Sequence, residues 1–261
     1  MSGPTHVVMF SGGLGSWEAA KRVAAIHGTR NLVLLFADTL MEDEDLYRFL
    51  REAAENVGGE LVILREGRTP WEVFFDERFL GNSRVDPCSK ILKRKVSDAW
   101  IKANYKPGDV IRHVGIDWTE EHRVVRLRER LGEWRVEAPL CEPPYVTKQR
   151  IMEHARSEGL RIPRLYELGF EHNNCGGFCV KAGQAHFAHL LNVLPERYGY
   201  HEEKEQELRA YLGRDDIAIL RDRTGGSTRP MTLREFRERL DCGYEFDRHE
   251  WGGCACFAGA A

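Results

Sequence analysis

The sequence predicts an α/β fold: a doubly wound, mostly parallel sheet followed by a helical, cysteine-rich C-terminal part. Three observations carry that expectation. Short apolar runs alternate with amphipathic stretches through residues 1–142, a glycine-rich turn joins the first run to the first helix, and the pattern becomes helical after the Pro-rich break "EPPY" at 142–145. Strands separated by helical patterns imply βαβ units and therefore a parallel sheet.

The elements follow in order. Residues 6–10 form an apolar strand that ends at Ser11-Gly12-Gly13, and 17–26 a helix. Strands are expected at 32–37 and 61–64, with helices at 43–57 and 71–80. Over 89–103 the apolar residues Ile91, Leu92, Val96 and Trp100 recur at helical spacing. "VIRHVGI" at 110–116 is the next strand, followed by a charged helix at 120–131 and a short strand at 135–138. Beyond the break, helices are expected at 148–158, 181–194, 196–212 and 231–240, the last with Thr232 and Glu235 spaced for a capping box. Residues 1–142 are thus expected to form the core domain, and 143–261 a helical Cys-rich region packed on it.

A length of 261 residues accommodates one large domain or one domain with a small appendage. With 42% hydrophobic and 30% charged residues and a net charge of -3, the chain has the composition of a globular protein, and nothing global advertises a nucleic-acid partner. Local basic faces exist at Lys90, Lys93, Arg94 and Lys95, and at Arg123, Arg126, Arg128 and Arg130. No basic-then-apolar leader is evident, and no apolar stretch approaches the roughly 20 residues that span a bilayer. The expected location is cytoplasmic, with no membrane partner.

The turn "SGGLGS" at 11–16 is the first functional signal. Glycines let a backbone approach a ligand closely, and the N–H groups of a helix start face an anion. Ser11 and Ser16 add hydroxyl groups. The alternative is a tight strand-to-helix turn without a ligand. No Gly-Lys-Ser/Thr follows, so the loop is not a Walker A sequence; glycines at 12, 13 and 15 do not match the dinucleotide fingerprint either. A second Gly-Gly stretch, "RTGGSTRP" at 223–230, reads as a loop closing over a ligand or as an ordinary connection.

The loop resembles the PP-loop of the ATP pyrophosphatase superfamily, S-G-G-x-D-S, through Ser11, Gly12, Gly13 and Ser16, with Gly15 where the acid stands. Further segments resemble the phosphoadenosine phosphosulfate (PAPS) reductase branch. "LLFADT" ends in Asp38, where the superfamily holds adenosine. "DPCSKILKRK" carries Cys88 and Lys93, "VGIDWTEEHR" carries Gly115, Ile116, Glu121 and Arg123, and "LYELGFEHNNCGGFC" leads into Cys175 and Cys179. The resemblance covers residues 6–180. It implies an adenine nucleotide, ATP with Mg2+ or a PAPS-like nucleotide, held on Ser11, Gly12, Gly13, Gly15, Ser16 and Asp38, with Lys93 and Arg123 neutralising phosphate or sulfate. Two departures stand out: Gly15 removes a carboxylate that helps organise magnesium, and the C-terminal Glu-Cys-Gly-Ile-His-type motif of PAPS reductases is missing, with only Asp241-Cys242-Gly243 echoing it.

Seven cysteines in such a chain call for a reading other than disulfides. Cys175 with Cys179 and Cys254 with Cys256 form two close pairs flanked by glycines, a set suited to an iron–sulfur cluster or a tetrahedral zinc ion. The absence of C-x-x-C knuckles favours the cluster (4Fe–4S), and so does the resemblance, because thiolating branches of the superfamily hold such clusters. His172, His186 and His189 are nearby substitutes for a thiolate or ordinary helix histidines. Cys88, close to Lys90 and Lys93, is expected to favour its thiolate and to act catalytically; Cys141 and Trp17 are expected to pack. Glu121 either pairs with Arg123 or orients magnesium.

The expected activity is ATP-dependent adenylation of an acceptor with release of pyrophosphate, coupled to sulfur transfer at the Cys-bound metal. The partners would be a sulfur donor or thiol reductant and a small-molecule or nucleic-acid acceptor; a homodimer is left open. The competing expectations are a sulfonucleotide reductase, which Gly15 favours, a non-catalytic nucleotide-binding module of a modification or defence complex, and a zinc-stabilised scaffold.

Overall fold

The computed structural model describes residues 3–82, 85–249 and 251–252. Five strands, β1 (Thr5–Met9), β2 (Leu32–Asp38), β3 (Glu60–Arg65), β4 (Val110–His113) and β5 (Val136–Glu137), form one sheet in the order β3-β2-β1-β4-β5. Every neighbouring pair is parallel. Side chains alternate between the two faces of a strand. On one face Val8, Phe10, Leu34 and Phe36 pack against α1 (Leu14–His27), α2 (Glu44–Val57) and α6 (Lys148–Ser157). On the other, Val7, Met9, Val33 and Leu35 meet α4 (Val96–Asn104) and α5 (Glu121–Leu131). Two covered faces explain why β2 is apolar almost throughout and buried at every residue.

The helices carry their own start and stop signals. In α2 the Asp43 carboxylate accepts the Asp45 N–H, Leu46, Phe49, Leu50, Ala53 and Val57 form the buried stripe, and Gly58 at φ 81° ends it. Thr232 caps α10 (Leu233–Asp241) by accepting the Glu235 N–H at 3.1 Å. The return half of the expected box is missing because the Glu235 carboxylate is taken by Arg229 and Arg239. A reciprocal box forms at Thr69 and Glu72 on α3 (Pro70–Asp76).

A second core lies beside the sheet. Trp71 and Phe74 of α3 meet Phe178, Phe187 of α8 (Gln184–Val193), Tyr198 and Leu208 of α9 (Pro195–Leu212), and Phe236 of α10. The short helix α7 (Arg164–Glu167) adds Leu165. So α3 from the first half serves the second core, while α6 from the second half gives Ile151 and Ala155 to the sheet core. "RTGGSTRP" is a connection, the turn between the antiparallel strands β6 (Leu220–Asp222) and β7 (Arg229–Met231). The helix expected from 181 starts at Gln184, because Ala182 forms a bridge with Gly252 and the Gly183 N–H donates to the Trp251 carbonyl at 2.9 Å. Ahead of α4, Ser89–Lys95 is wound as a π-helix. Among the described residues no helix is long and apolar enough to cross a membrane.

Candidate anion and thiol site

From β1 the chain winds to β2 and β3 on one side of the sheet, whereas β4 and β5 lie on the other. The crevice beyond the C-terminal ends of β1 and β4 is the topological switch point, where doubly wound sheets take ligands. A cavity of about 140 Å3 lies there, walled by the 11–16 loop after β1, by Val114, Gly115 and Ile116 after β4, and by Glu120 and Arg123. Lys93, Tyr166, His172 and Asn173 close it.

The loop holds its shape through Ser16, whose hydroxyl donates to the Gly13 carbonyl at 2.8 Å and accepts the Ser11 N–H at 3.1 Å. Ser16 Oγ is therefore engaged within the loop. Gly12 has φ 74°, and a Cβ there would lie 2.9 Å from Leu46 Cγ. Gly115 has a different constraint: a Cβ would lie 2.8 Å from the Ser16 nitrogen, so the strand after β4 presses directly on the loop. Gly13 caps α1 without a side-chain bond, which leaves first-turn N–H groups without intrahelical partners. One of them, on Leu14, donates to Tyr166 Oη at 3.3 Å. That oxygen also accepts from the Asn173 backbone, and burial pushes the phenol up to about 12. Tyr166 thus keeps its proton as a donor. Asn173, 2% exposed, donates through Nδ2 to the Gly12 carbonyl at 2.9 Å, and its Oδ1 is buried without a partner. Arg123 pairs with Glu120 rather than Glu121, and its Nε is likewise buried and unpartnered.

Lys93 is 4% exposed. Its ammonium lies 3.4 Å from Glu42 Oε1 and 4.0 Å from Cys175 Sγ. The Glu42 carboxylate also accepts the Thr39 hydroxyl at 2.9 Å and the Cys175 N–H. On the far side of Lys93, Cys88, Cys175 and Cys179 line one small cavity of about 20 Å3. Burial raises all three thiols, Cys88 to about 12, where the Lys93 charge opposes it less strongly. Cys88 is therefore held as a thiol, contrary to the expectation from its basic neighbours; Lys90 is exposed. Cys175, Gly176 and Gly177 have consecutive positive φ angles of 49°, 61° and 84°. Cys175 is a non-glycine residue in the left-handed region, where strain gathers at functional sites. It also lines a third cavity, of about 720 Å3, together with Leu40 (φ 57°), Arg164, Arg197 and Tyr200.

Asp38 is 1% exposed, with Oδ1 accepting from the Leu40 N–H and the Tyr47 hydroxyl and Oδ2 from Arg65, outside the lining of the loop cavity. His186 and His189 engage their Nε2 atoms with the carbonyls of Gly177 and Leu168, each at 2.7 Å. Trp17 packs as expected, fully buried, its indole donating to Asn56. Cys141 donates to the Ile116 carbonyl. Cys254 and Cys256 lie outside the described residues. Among the described residues no three His, Cys, Asp or Glu side chains are disposed to hold a metal ion. The bridge of Gly252 to Ala182 stands two residues before Cys254 and three after Cys179.

Tyr166, Asn173 and Glu42 were not foreseen as site residues. Tyr166 and Asn173 both lie in the segment "LYELGFEHNNCGGFC", whose spacing assigns them no role; nothing local marks Glu42, which the segment before α2 brings against Lys93 and Cys175.

No family model matches the sequence. No curated protein matches it. Among solved structures the chain is similar to the phosphoadenylyl-sulfate (PAPS) reductase of Candida auris in a phosphate complex, with 16% identity, a TM-score of 0.46, and coverage of 66% of this chain and 80% of that one. The fold and site define an α/β protein with a glycine-rich loop and a polar cavity at the switch point of its sheet.

Proposed function

We propose that this chain binds the phosphates of an adenine nucleotide on the 11–16 loop, and that it activates an acceptor by adenylation coupled to sulfur transfer on the thiol side of Lys93. One observation carries the reading: a single buried ammonium, Lys93, lines both the loop cavity and the cavity of Cys88, Cys175 and Cys179. Backbone N–H groups of the helix start and the Tyr166 hydroxyl donate to phosphate oxygens, and Lys93 and Arg123 offset their charge. An acceptor oxygen attacks the α-phosphorus, the P–O bond to the α–β bridging oxygen breaks, and pyrophosphate leaves. A sulfur nucleophile from the donor then attacks the activated acceptor carbon, and the C–O bond breaks with AMP as the leaving group. Mg2+, where bound with the nucleotide, would supply further charge neutralisation on the phosphates. The metal centre proposed for Cys175, Cys179, Cys254 and Cys256, with Cys88 beside it, is a 4Fe–4S cluster in preference to zinc. The Gly252–Ala182 bridge supports a shared centre, because it holds the chain beside the Cys179 turn two residues before Cys254; the C-x-x-x-C and C-x-C spacings are what favour the cluster. Such a cluster would supply thiolate-bound iron for sulfur or electron transfer.

A second reading is reduction of PAPS or a related sulfonucleotide by a thiol, favoured by Gly15 in place of the acid. The two separate in one experiment on anaerobically purified protein. The first reading expects pyrophosphate release from ATP when an acceptor is present; sulfite from PAPS without ATP turnover overturns it in favour of the second. The visible spectrum and metal content test the centre, and a colourless protein with one equivalent of zinc overturns the cluster.

A further inference from the structure

The loop cavity, at about 140 Å3, is below the roughly 300 Å3 at which pockets for whole drug-sized ligands begin. It accommodates phosphates, and the nucleoside must project from its mouth. The 720 Å3 cavity beside Cys175 shares no lining residue with it. Asp38 is not among the walls of the loop cavity either, and its two carboxylate oxygens hold Leu40, Tyr47 and Arg65.

Beside the walls that carry Ile116 and Glu120 stands an exposed aromatic pair. Trp118 is 45% exposed and Tyr145 is 59% exposed, with ring centroids 5.6 Å apart at 48°. Trp118 sits two residues from Ile116 and two from Glu120, both walls of the cavity, so the covalent chain keeps it at the rim. Tyr145 stands three residues before Lys148, whose ammonium lies 4.9 Å from the ring centre of Tyr166, another wall. The segment carrying Tyr145 is anchored: the Arg22 guanidinium donates to the carbonyls of Pro139, Glu142 and Pro144 at 3.0, 3.1 and 2.8 Å. Leaving two large rings in water is costly unless something covers them, and aromatic faces on fixed backbone suit the face of a base.

We propose that Trp118 and Tyr145 form the seat for the base of the nucleotide whose phosphates occupy the loop cavity. The proposal rests on the phosphate-binding reading above and adds the position of the base. It is tested by calorimetric titration of the full chain with inorganic pyrophosphate, with ATP and with single-stranded oligo(dA), for wild type, Trp118→Ala, Tyr145→Ala and Trp118→Phe. Base stacking is worth ~1–3 kcal/mol, or about 5- to 150-fold in affinity. The alanine variants should lose at least about fivefold in ATP affinity, Trp118→Phe should recover most of it, and pyrophosphate affinity should be unchanged. ATP affinity unaffected by either alanine change, or ATP and pyrophosphate weakened alike, overturns the base seat alone. Loss confined to the oligonucleotide also overturns it and assigns the pair to a nucleic acid strand. Wild type that binds neither pyrophosphate nor ATP fails the phosphate-binding reading itself, before any variant is measured.

Discussion

Lys93 bears on both stability and function. Its ammonium compensates the Glu42 carboxylate, whose side chain is 1% exposed, so Lys93→Ala leaves a buried charge alone. Breaking such a pair costs about 3–5 kcal/mol, and the variant should show a large fall in thermal midpoint. Loss of activity in Lys93→Ala is therefore ambiguous. The double variant Lys93→Met with Glu42→Gln removes both charges; it should recover much of the stability while still failing to bind pyrophosphate, as thermal unfolding and titration would measure. Gly115 tests the loop more cleanly. Gly115→Ala puts a Cβ 2.8 Å from the Ser16 nitrogen, so the loop must shift. Pyrophosphate affinity should fall about tenfold or more for an overpacking cost of ~1–3 kcal/mol in unfolding free energy. Gly15→Asp meets only the Gly115 carbonyl, at 3.3 Å. It should weaken pyrophosphate binding in chelator, by like-charge repulsion, and restore it when Mg2+ is added.

At the level of elements, each capped start has a defined contribution. Thr69 holds α3 through a reciprocal box with Glu72, and α3 supplies Trp71 and Phe74 to the second core. Thr69→Ala should cost about 1 kcal/mol in a urea titration, with an unchanged slope. Thr232→Ala on α10 removes one bond rather than two, because Glu235 is occupied by Arg229 and Arg239, and should cost less.

At the scale of the whole molecule, the second core is tied together at Glu205. This side chain of α9 is fully buried and accepts the N–H of Ile219, next to β6, at 2.8 Å and of Leu233, at the start of α10, at 2.6 Å. Burial pushes its carboxyl up from 4.5 to about 7, against the pull of those two hydrogen bonds. A carboxyl raised on folding contributes stability that is full below about 4.5 and is lost as pH rises to about 7. Glu205→Gln does not titrate and presents an NH2 to one of the two N–H groups, so it should be less stable by ~1–3 kcal/mol at low pH. The gap between wild type and variant should narrow from pH 4.5 to 7 in denaturation curves; a gap that widens over this range would contradict the raised carboxyl.

Much of this was legible in the chain. Apolar runs marked all five strands of the sheet, most plainly β1, β2 and β4, which are buried on both faces, while the edge strand β3 alternates exposed and half-buried residues; the glycines at 12, 13 and 15 marked the loop. The same local reading went astray where a distant partner decides. Thiolate character was expected for Cys88 from nearby lysines, yet burial, reinforced by the charges of Cys179 and Asp86, outweighs the pull of Lys93. Glu42 carries no local mark, and Tyr166 and Asn173 lie in a recognised segment that does not reveal their partners, since those contacts are with residues far away in sequence. The amino-acid sequence by itself determined the elements, the parallel sheet and the loop, because propensity, periodicity and glycine geometry act over a few residues. Only the tertiary structure decided that Lys93 stands between the loop cavity and three cysteines, because desolvation and charge pairing depend on which segments the fold packs together.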